Sequence, residues 1–247
     1  MIKRLSCVVK LIDSFTGRPA APADAAIFCD GKPIRHQYKA GGFFVLSDLA
    51  EGAHTLLICS WKFQPEQLDV TVDYAAVNAE NAVRYVMLNP SAQHPYAASA
   101  PCFHAALPQG ESLYVLREGF MLKIAEDSAD AGKTLVRMFS EKSMALFPSM
   151  FLIRDKAAAK NEFVVIKGCN GDMFMLESPL KYSHARSTAV TALVKYTAGE
   201  DGLFALLPQG LPAKDGEVRV TALTEKAGRL VERELCIPQK GMAQLEL

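Results

Sequence analysis

Apolar residues along this chain fall in short runs broken by glycine, proline and small polar residues. The pattern is clearest from Gly41 to Ile58. Gly41-Gly42 precedes the run Phe43–Leu46, a polar turn over Ser47–Glu51 follows, and Gly52 leads into a second run, His54–Ile58. Runs of this length bounded by turn residues predict β-strands. The same grammar marks strands at Leu5–Ile12, Ala26–Cys29, Leu68–Val72 and Val83–Leu88. In Leu68-Asp69-Val70-Thr71-Val72 the apolar residues alternate, so one face is buried and the other wet. Asp13–Pro19 reads as a turn, and Asp30-Gly31 as a hairpin signal.

Beyond residue 112 the pattern stays β-rich. Strands are predicted at Leu113–Leu116, Phe120–Ile124, Thr134–Phe139, Phe163–Ile166, Met173–Leu176, Val190–Tyr196, Leu203–Leu207, Val218–Leu223, Leu230–Ile237 and Ala243–Leu247. Short helices are predicted only over 140–150 and 154–160. Between the two β-rich parts, prolines at 90, 95, 101 and 108 remove backbone donors and favour extended chain, which marks 90–112 as a linker. Gly202–Gly210 repeats the order of Gly42–Gly52, so the C-terminal part reads as a diverged copy with inserted hairpins around 113–186. The prediction is an all-β protein of two Greek-key β-sandwich-like domains, 1–89 and 113–247, joined by the proline-containing linker.

The N-terminal third resembles the carboxypeptidase regulatory-like, or transthyretin-like (prealbumin-like), β-sandwich family. The resemblance rests on Val8–Pro19, on Gly42–Leu46 with Leu49 and Gly52, on His54–Ile58, and on the aromatic turn Trp61-Lys62-Phe63. It implies a fold and says little about function, because members are mostly accessory, stalk, adhesive or assembly modules. One enzymatic branch hydrolyses 5-hydroxyisourate and carries a C-terminal Tyr-Arg-Gly-Ser. Here the chain ends Ala243–Leu247 and the first domain ends Val86–Asn89, so that activity is not implied. Two such modules joined by a proline-containing linker also resemble, in layout alone, proteins of phage-tail-like and contractile injection particles.

Composition narrows the classes of function. Lys plus Arg and Asp plus Glu are 27 each, a balance that argues against a general nucleic-acid binder. The apolar run after Lys3-Arg4 is interrupted at Lys10, too early for a signal peptide, and no run approaches a membrane span. The expected location is cytoplasmic, or extracellular or at the cell surface if a leader has been removed. Six cysteines without a Cys-x-x-Cys pair sit mostly in strand-like runs, which favours buried free thiols, although the even count leaves disulfides open.

Candidate chemistry is sparse. Ala131-Gly132-Lys133-Thr134 imitates the end of a phosphate-binding loop, but Asp127 stands where its first glycine belongs, and Glu126 and Asp130 would repel phosphate. Cys102-x-His104, with His94 nearby, has soft-metal character but lacks two further clustered ligands. His36 and His54 read as surface histidines, Asp48 and Glu51 as turn residues, Asn170-Gly171-Asp172 as a hairpin turn, and Met173-Phe174-Met175 as core. No catalytic residue, metal ligand or cofactor is assigned. The expected binding surface comprises Trp61, Phe63, Tyr96 and Phe103, aromatics at a predicted loop and in the linker. The reading that follows is a non-enzymatic structural or protein-binding module in a larger assembly. The alternatives are a carbohydrate- or peptide-binding adhesin and a hydrolase with scattered catalytic residues.

Overall fold

The computed structural model describes residues 4–76, 82–140, 149–209, 211–226 and 229–246. The chain is all-β: among these residues the only helical elements are two 3₁₀ turns, Pro22–Asp24 and Ala158–Lys160. The helix predicted over 154–160 shrinks to the second of these. Asp155 Oδ1 accepts the Ala157 N–H, and Asn161 Oδ1 accepts the Asp155 N–H, each at 2.9 Å. These side chains offer the backbone a turn in place of a helix. The helix predicted over 140–150 falls on 141–148, outside the described residues.

The chain divides into two compact units. The first comprises Met1–Ala105, Phe204–Gln209 and Lys240–Glu246. Its strands are β1 (Leu5–Asp13), β2 (Ala26–Cys29), β3 (Lys32–Pro33), β4 (Gln37–Lys39), β5 (Phe43–Ser47), β6 (Gly52–Cys59), β7 (Glu66–Val72), β8 (Val83–Leu88) and β9 (Cys102–Ala105). One sheet has the order β4-β5-β1-β8, with β1 antiparallel to β5 and parallel to β8; a second has the order β3-β2-β6-β7. Apolar side chains of both sheets share one buried cluster: Val9, Leu11, Phe44, Leu46 and Val86 from the first, Ile27, Leu56, Ile58 and Val70 from the second. The alternation legible in the sequence supplies these inward residues.

Residues 90–105, which the prolines mark as linker, are folded into this unit. Strand β9 lies between Leu203–Leu206 and Met242–Leu245 and runs parallel to the latter. The segments that echo each other in sequence are placed differently. Phe43–Ser47 pairs with β1 and β4, whereas its echo Leu203–Leu206 pairs with β9.

Gly42 is the sequence feature with the sharpest steric requirement. Its φ is +81°, and a Cβ there would lie 2.8 Å from the Leu11 carbonyl oxygen and 2.8 Å from Pro19 Cβ. Its own carbonyl accepts the Leu11 N–H at 3.0 Å. Only glycine permits that approach.

The second unit, Ala106–Leu203 and Gly210–Gln239, has a different plan. Its strands include β10 (Ser112–Ile124), β11 (Ser128–Ala129), β12 (Leu135–Ser140), β13 (Ser149–Arg154), β14 (Glu162–Asn170), β15 (Met173–Leu176), β16 (His184–Ala185) and β17 (Ala189–Thr197). Strands β12-β15-β14-β13-β17-β10 are hydrogen-bonded in that order, and β10 also pairs with β12, so these six antiparallel strands close on themselves. A second two-layer sandwich is the expectation for this half; the hydrogen bonding instead closes a ring. The reason lies in β10. Its first half, Leu113–Val115, pairs with Glu217–Lys226, its last three residues pair with β12, and its register shifts between Leu116 and Met121. Closure removes sheet edges.

Leu122, Ile124, Val136, Met138, Phe151, Ile153, Val164, Ile166, Phe174, Leu176, Val190 and Ala192 make one buried cluster with Leu180. Leu116, Leu152, Leu193 and Leu223 make another. Strand β17 contributes to both clusters, and Val190, Thr191, Ala192 and Leu193 are all buried. A strand covered on both faces reads as a continuous apolar run.

His184 is fully buried in this unit. Its Nδ1 lies 2.9 Å from Asp155 Oδ2 and its Nε2 2.8 Å from Glu162 Oε1. Glu162 also accepts the backbone N–H groups of Lys181 and Tyr182. The ring therefore ties β16 to the β13–β14 connection.

Two outcomes are expected in chemical denaturation. His184→Ala leaves the buried Glu162 carboxylate and the part-buried Asp155 carboxylate without their shared partner and lowers stability by about 1–3 kcal/mol. Gly42→Ala costs roughly 2 kcal/mol or more, clearly above Gly110→Ala, because Gly110 also has positive φ but has no neighbour within 4 Å of its would-be Cβ.

Candidate binding surfaces

Two loops of the first unit, 60–64 and 89–97, carry most of the aromatic residues singled out in the sequence. They are joined by backbone and side-chain bonds. Ser91 N–H donates to the Lys62 carbonyl, Ser91 Oγ donates to the Trp61 carbonyl, and Gln64 N–H donates to the Asn89 carbonyl, at 2.9, 2.9 and 2.8 Å. Gln64 Nε2 donates further to the carbonyls of Pro90 and Phe204. Lys62 Nζ lies 2.6 Å from Asp24 Oδ1.

His94, in the second of these loops, turns its ring inward and is only 5% exposed. Its ring packs against Phe15, Phe63 and Tyr96 with centroid separations of 5.9, 5.6 and 5.7 Å. Its Nδ1 accepts the Tyr96 N–H at 3.4 Å, which puts the proton of the neutral ring on Nε2, 3.6 Å from Asp13 Oδ2. Burial pushes the His94 pKa below the ordinary imidazole value, against an opposing pull from Asp13. Asp13 in turn accepts the Phe15 N–H at 2.9 Å and the Thr16 hydroxyl at 2.8 Å.

This arrangement separates the four expected surface aromatics. Trp61 is 59% exposed and Tyr96 45% exposed. Phe63 and Phe103 are not surface residues: both are fully buried, Phe63 as the floor against His94 and Phe103 on β9. Fixing the loops requires an apolar anchor facing inward, and Phe63 is that anchor.

The second unit carries an outward apolar stripe that the pattern leaves unassigned. Leu135 and Met175 are directly opposite each other on β12 and β15, and both are exposed. Phe139, on the same face of β12, pairs with Lys123 of β10; Phe139 and Met121 are exposed as well. Met173-Phe174-Met175 is expected as core, yet only Phe174 is buried, because successive strand residues face opposite ways. The signal was present in the sequence: Leu135-Val136-Arg137-Met138-Phe139 places apolar residues in both phases of the alternation, Leu135 and Phe139 in one and Val136 and Met138 in the other.

Ala131-Gly132 is a turn, and Lys133 Nζ pairs with Glu126 at 2.7 Å. Asn170-Gly171-Asp172 connects β14 to β15. Cys102 is buried with its Sγ 3.4 Å from the Ala97 carbonyl oxygen, and all six cysteines are free thiols. His36 packs on Phe44 at 5.1 Å, and its Nδ1 is buried without a hydrogen-bond partner. His54 does not meet Asp48 or Glu51. It bonds to Asp30, across the β2–β6 pair, and to the Ala50 carbonyl, at 2.7 and 2.9 Å. The hydrogen bond to Asp30 raises the His54 pKa and lowers that of Asp30.

A cavity of about 110 Å³ lined by Ser6, Cys7, Val70, Thr71, Asp73, Ala76, Ala82 and Arg84 is smaller than the ~300 Å³ at which small-molecule pockets begin. No helix among the described residues is long and apolar enough to cross a membrane.

No known family model matches the chain, and no curated protein matches it. Among solved structures, a chimeric titin Z1Z2–Z1Z2 tandem functionalized with an exogenous GRGDS peptide from fibronectin aligns over 99% of this chain and 100% of its own, at 9% identity and a TM-score of 0.18. A likeness that weak carries no argument about fold or function.

The depressed pKa of His94 fixes the sign of its pH effect. As pH falls through about 6.5 the unfolded chain binds this proton first, so the contribution of the neutral, buried ring is lost. The stability advantage of the wild type over His94→Gln is therefore expected to shrink from about pH 7.5 to about pH 5.5, measured by thermal unfolding of both proteins.

Proposed function

We propose that the protein is a non-enzymatic, protein-binding β-module of a larger assembly, with a first unit of transthyretin-like β-sandwich type. The observation that carries this reading is the exposed pair Trp61 and Tyr96, displayed on loops already clamped by Ser91, Gln64 and the His94 ring stack. Trp and Tyr contribute large apolar area with few rotatable bonds, and a preordered loop loses little entropy on binding. The outward stripe of Leu135, Phe139 and Met175 supports a second contact face, since exposed apolar stretches of this kind mark protein-interaction sites. The two four-stranded sheets with one shared core, and β1 parallel to β8, support the sandwich assignment. Free thiols throughout the chain fit a cytoplasmic, reducing location.

A photo-crosslinking residue placed at Trp61, Tyr96 or Leu135 in cells of the source organism tests the reading. Adducts to a discrete protein are expected from these positions and not from exposed Lys214. Equal labelling from Lys214, or no adduct from any of the three, would remove the basis for an assembly role.

A further inference from the structure

We propose that Cys29, Asp30 and His54 form a binding site for a transition-metal dication of the Zn²⁺ class, a site independent of the protein-binding surfaces above. The topology brings them together. Strand β2 pairs with β6 so that Cys29 lies opposite Leu56, which sets His54 just past the end of β2, beside the turn that follows it. That turn is Asp30-Gly31, with φ of 50° and 76°, the left-handed pair of a tight hairpin.

The polar geometry at this turn suits either a proton or a metal ion between His54 and Asp30. The Ala50 carbonyl can only accept, so the His54 Nε2 facing it at 2.9 Å carries a proton. In the neutral ring Nδ1 is then a lone pair, and it faces the Asp30 Oδ2 carboxylate oxygen at 2.7 Å. Two lone-pair donors face each other, and only a proton or a metal ion between them makes the contact attractive. Cys29 Sγ lies 3.6 Å from the same oxygen, and the three donor atoms are all within 4.8 Å of one another.

Tetrahedral zinc with bonds of about 2.0–2.3 Å sets its donors roughly 3.3–3.8 Å apart. The sulfur–oxygen spacing already fits. The nitrogen–oxygen spacing must open by about 0.6 Å, and the Asp30 side chain, 54% exposed, has room to move.

The surrounding groups are those a metal site uses. The Ala50 carbonyl holds the His54 ring through Nε2–H, and the Thr55 N–H donates to Asp30 Oδ1 at 3.0 Å, orienting the carboxylate. Thiolate, imidazole and carboxylate together select Zn²⁺ and its neighbours over Mg²⁺ or Ca²⁺. Cys29 binds as thiolate and releases its proton to solvent. Cys29 is buried and His54 mostly so, and Asp30 forms the open side, where water completes a fourth position.

The test uses the full chain titrated with Zn²⁺ by calorimetry and with Co²⁺ by absorption. One saturable site is expected, with a thiolate-to-cobalt charge-transfer band. Cys29→Ser abolishes the band, and Asp30→Asn and His54→Gln each weaken Zn²⁺ binding at least about tenfold. Cys169→Ser, which removes an exposed thiol elsewhere, changes neither. Asp30→Asn alters an exposed side chain outside the core, so its result stands even if Cys29→Ser folds poorly. Absence of saturable binding by the wild type, Asp30→Asn binding at wild-type strength, or a cobalt band lost with Cys169→Ser would overturn the proposal.

Discussion

The buried carboxylate of Asp13 is the interaction on which the display of the first unit depends. It sits at the end of β1, the central strand paired to both β5 and β8. It satisfies the Phe15 N–H and the Thr16 hydroxyl, and it faces the buried edge of His94. A carboxylate this enclosed is tolerated because donors surround it. Its partners lie on two segments far apart in sequence, so one charge orders the turn after β1 and the turn around His94 together. Phe15, Phe63 and Tyr96 then pack on the His94 ring, and Trp61 and Tyr96 are left facing solvent.

The second unit solves a different problem with the same strand vocabulary. Its sheet closes because β10 pairs with different partners along its length, and its core is the inward face of the ring. Closure leaves the outward face of β12 and β15 without a layer of its own. The exposed Leu135 and Met175 are the direct consequence. The first unit, by contrast, takes strands from the end of the chain: Met242–Leu245 runs beside β9, and this draws residues 90–105 into a folded sheet.

Local structure was largely legible in the sequence, because alternation and turn residues are local. Phe43–Leu46, His54–Ile58 and Leu68–Val72 fall within β5, β6 and β7, and Asp30-Gly31 is the hairpin its residues predict. What escaped depends on pairing between distant segments. Nothing in Ser112–Ile124 announces that its halves serve different neighbours. Prolines at 90, 95 and 101 predict an extended linker, but 92–100 folds into successive turns, with the Ala97 N–H donating to the His94 carbonyl and the Ala100 N–H to the Tyr96 carbonyl, and only Cys102–Ala105 is extended, as β9. Trp61 and Phe63 look alike in sequence; one faces solvent and the other His94 because the loop is tied to Ser91 and Asn89. Cys29, Asp30 and His54 meet only through the β2–β6 register, so the sequence, in which His54 reads as a surface histidine, does not show its partners.

Hydrogen exchange of wild type and Asp13→Ala, followed by mass spectrometry, tests most directly whether this carboxylate organises the displayed surface. Exchange is expected to rise together in peptides covering 13–19, 60–64 and 91–97, while β2, β3 and the second unit keep their protection. A rise confined to 13–19 would show that the loops bearing Trp61 and Tyr96 hold themselves, and would contradict the central place given to Asp13.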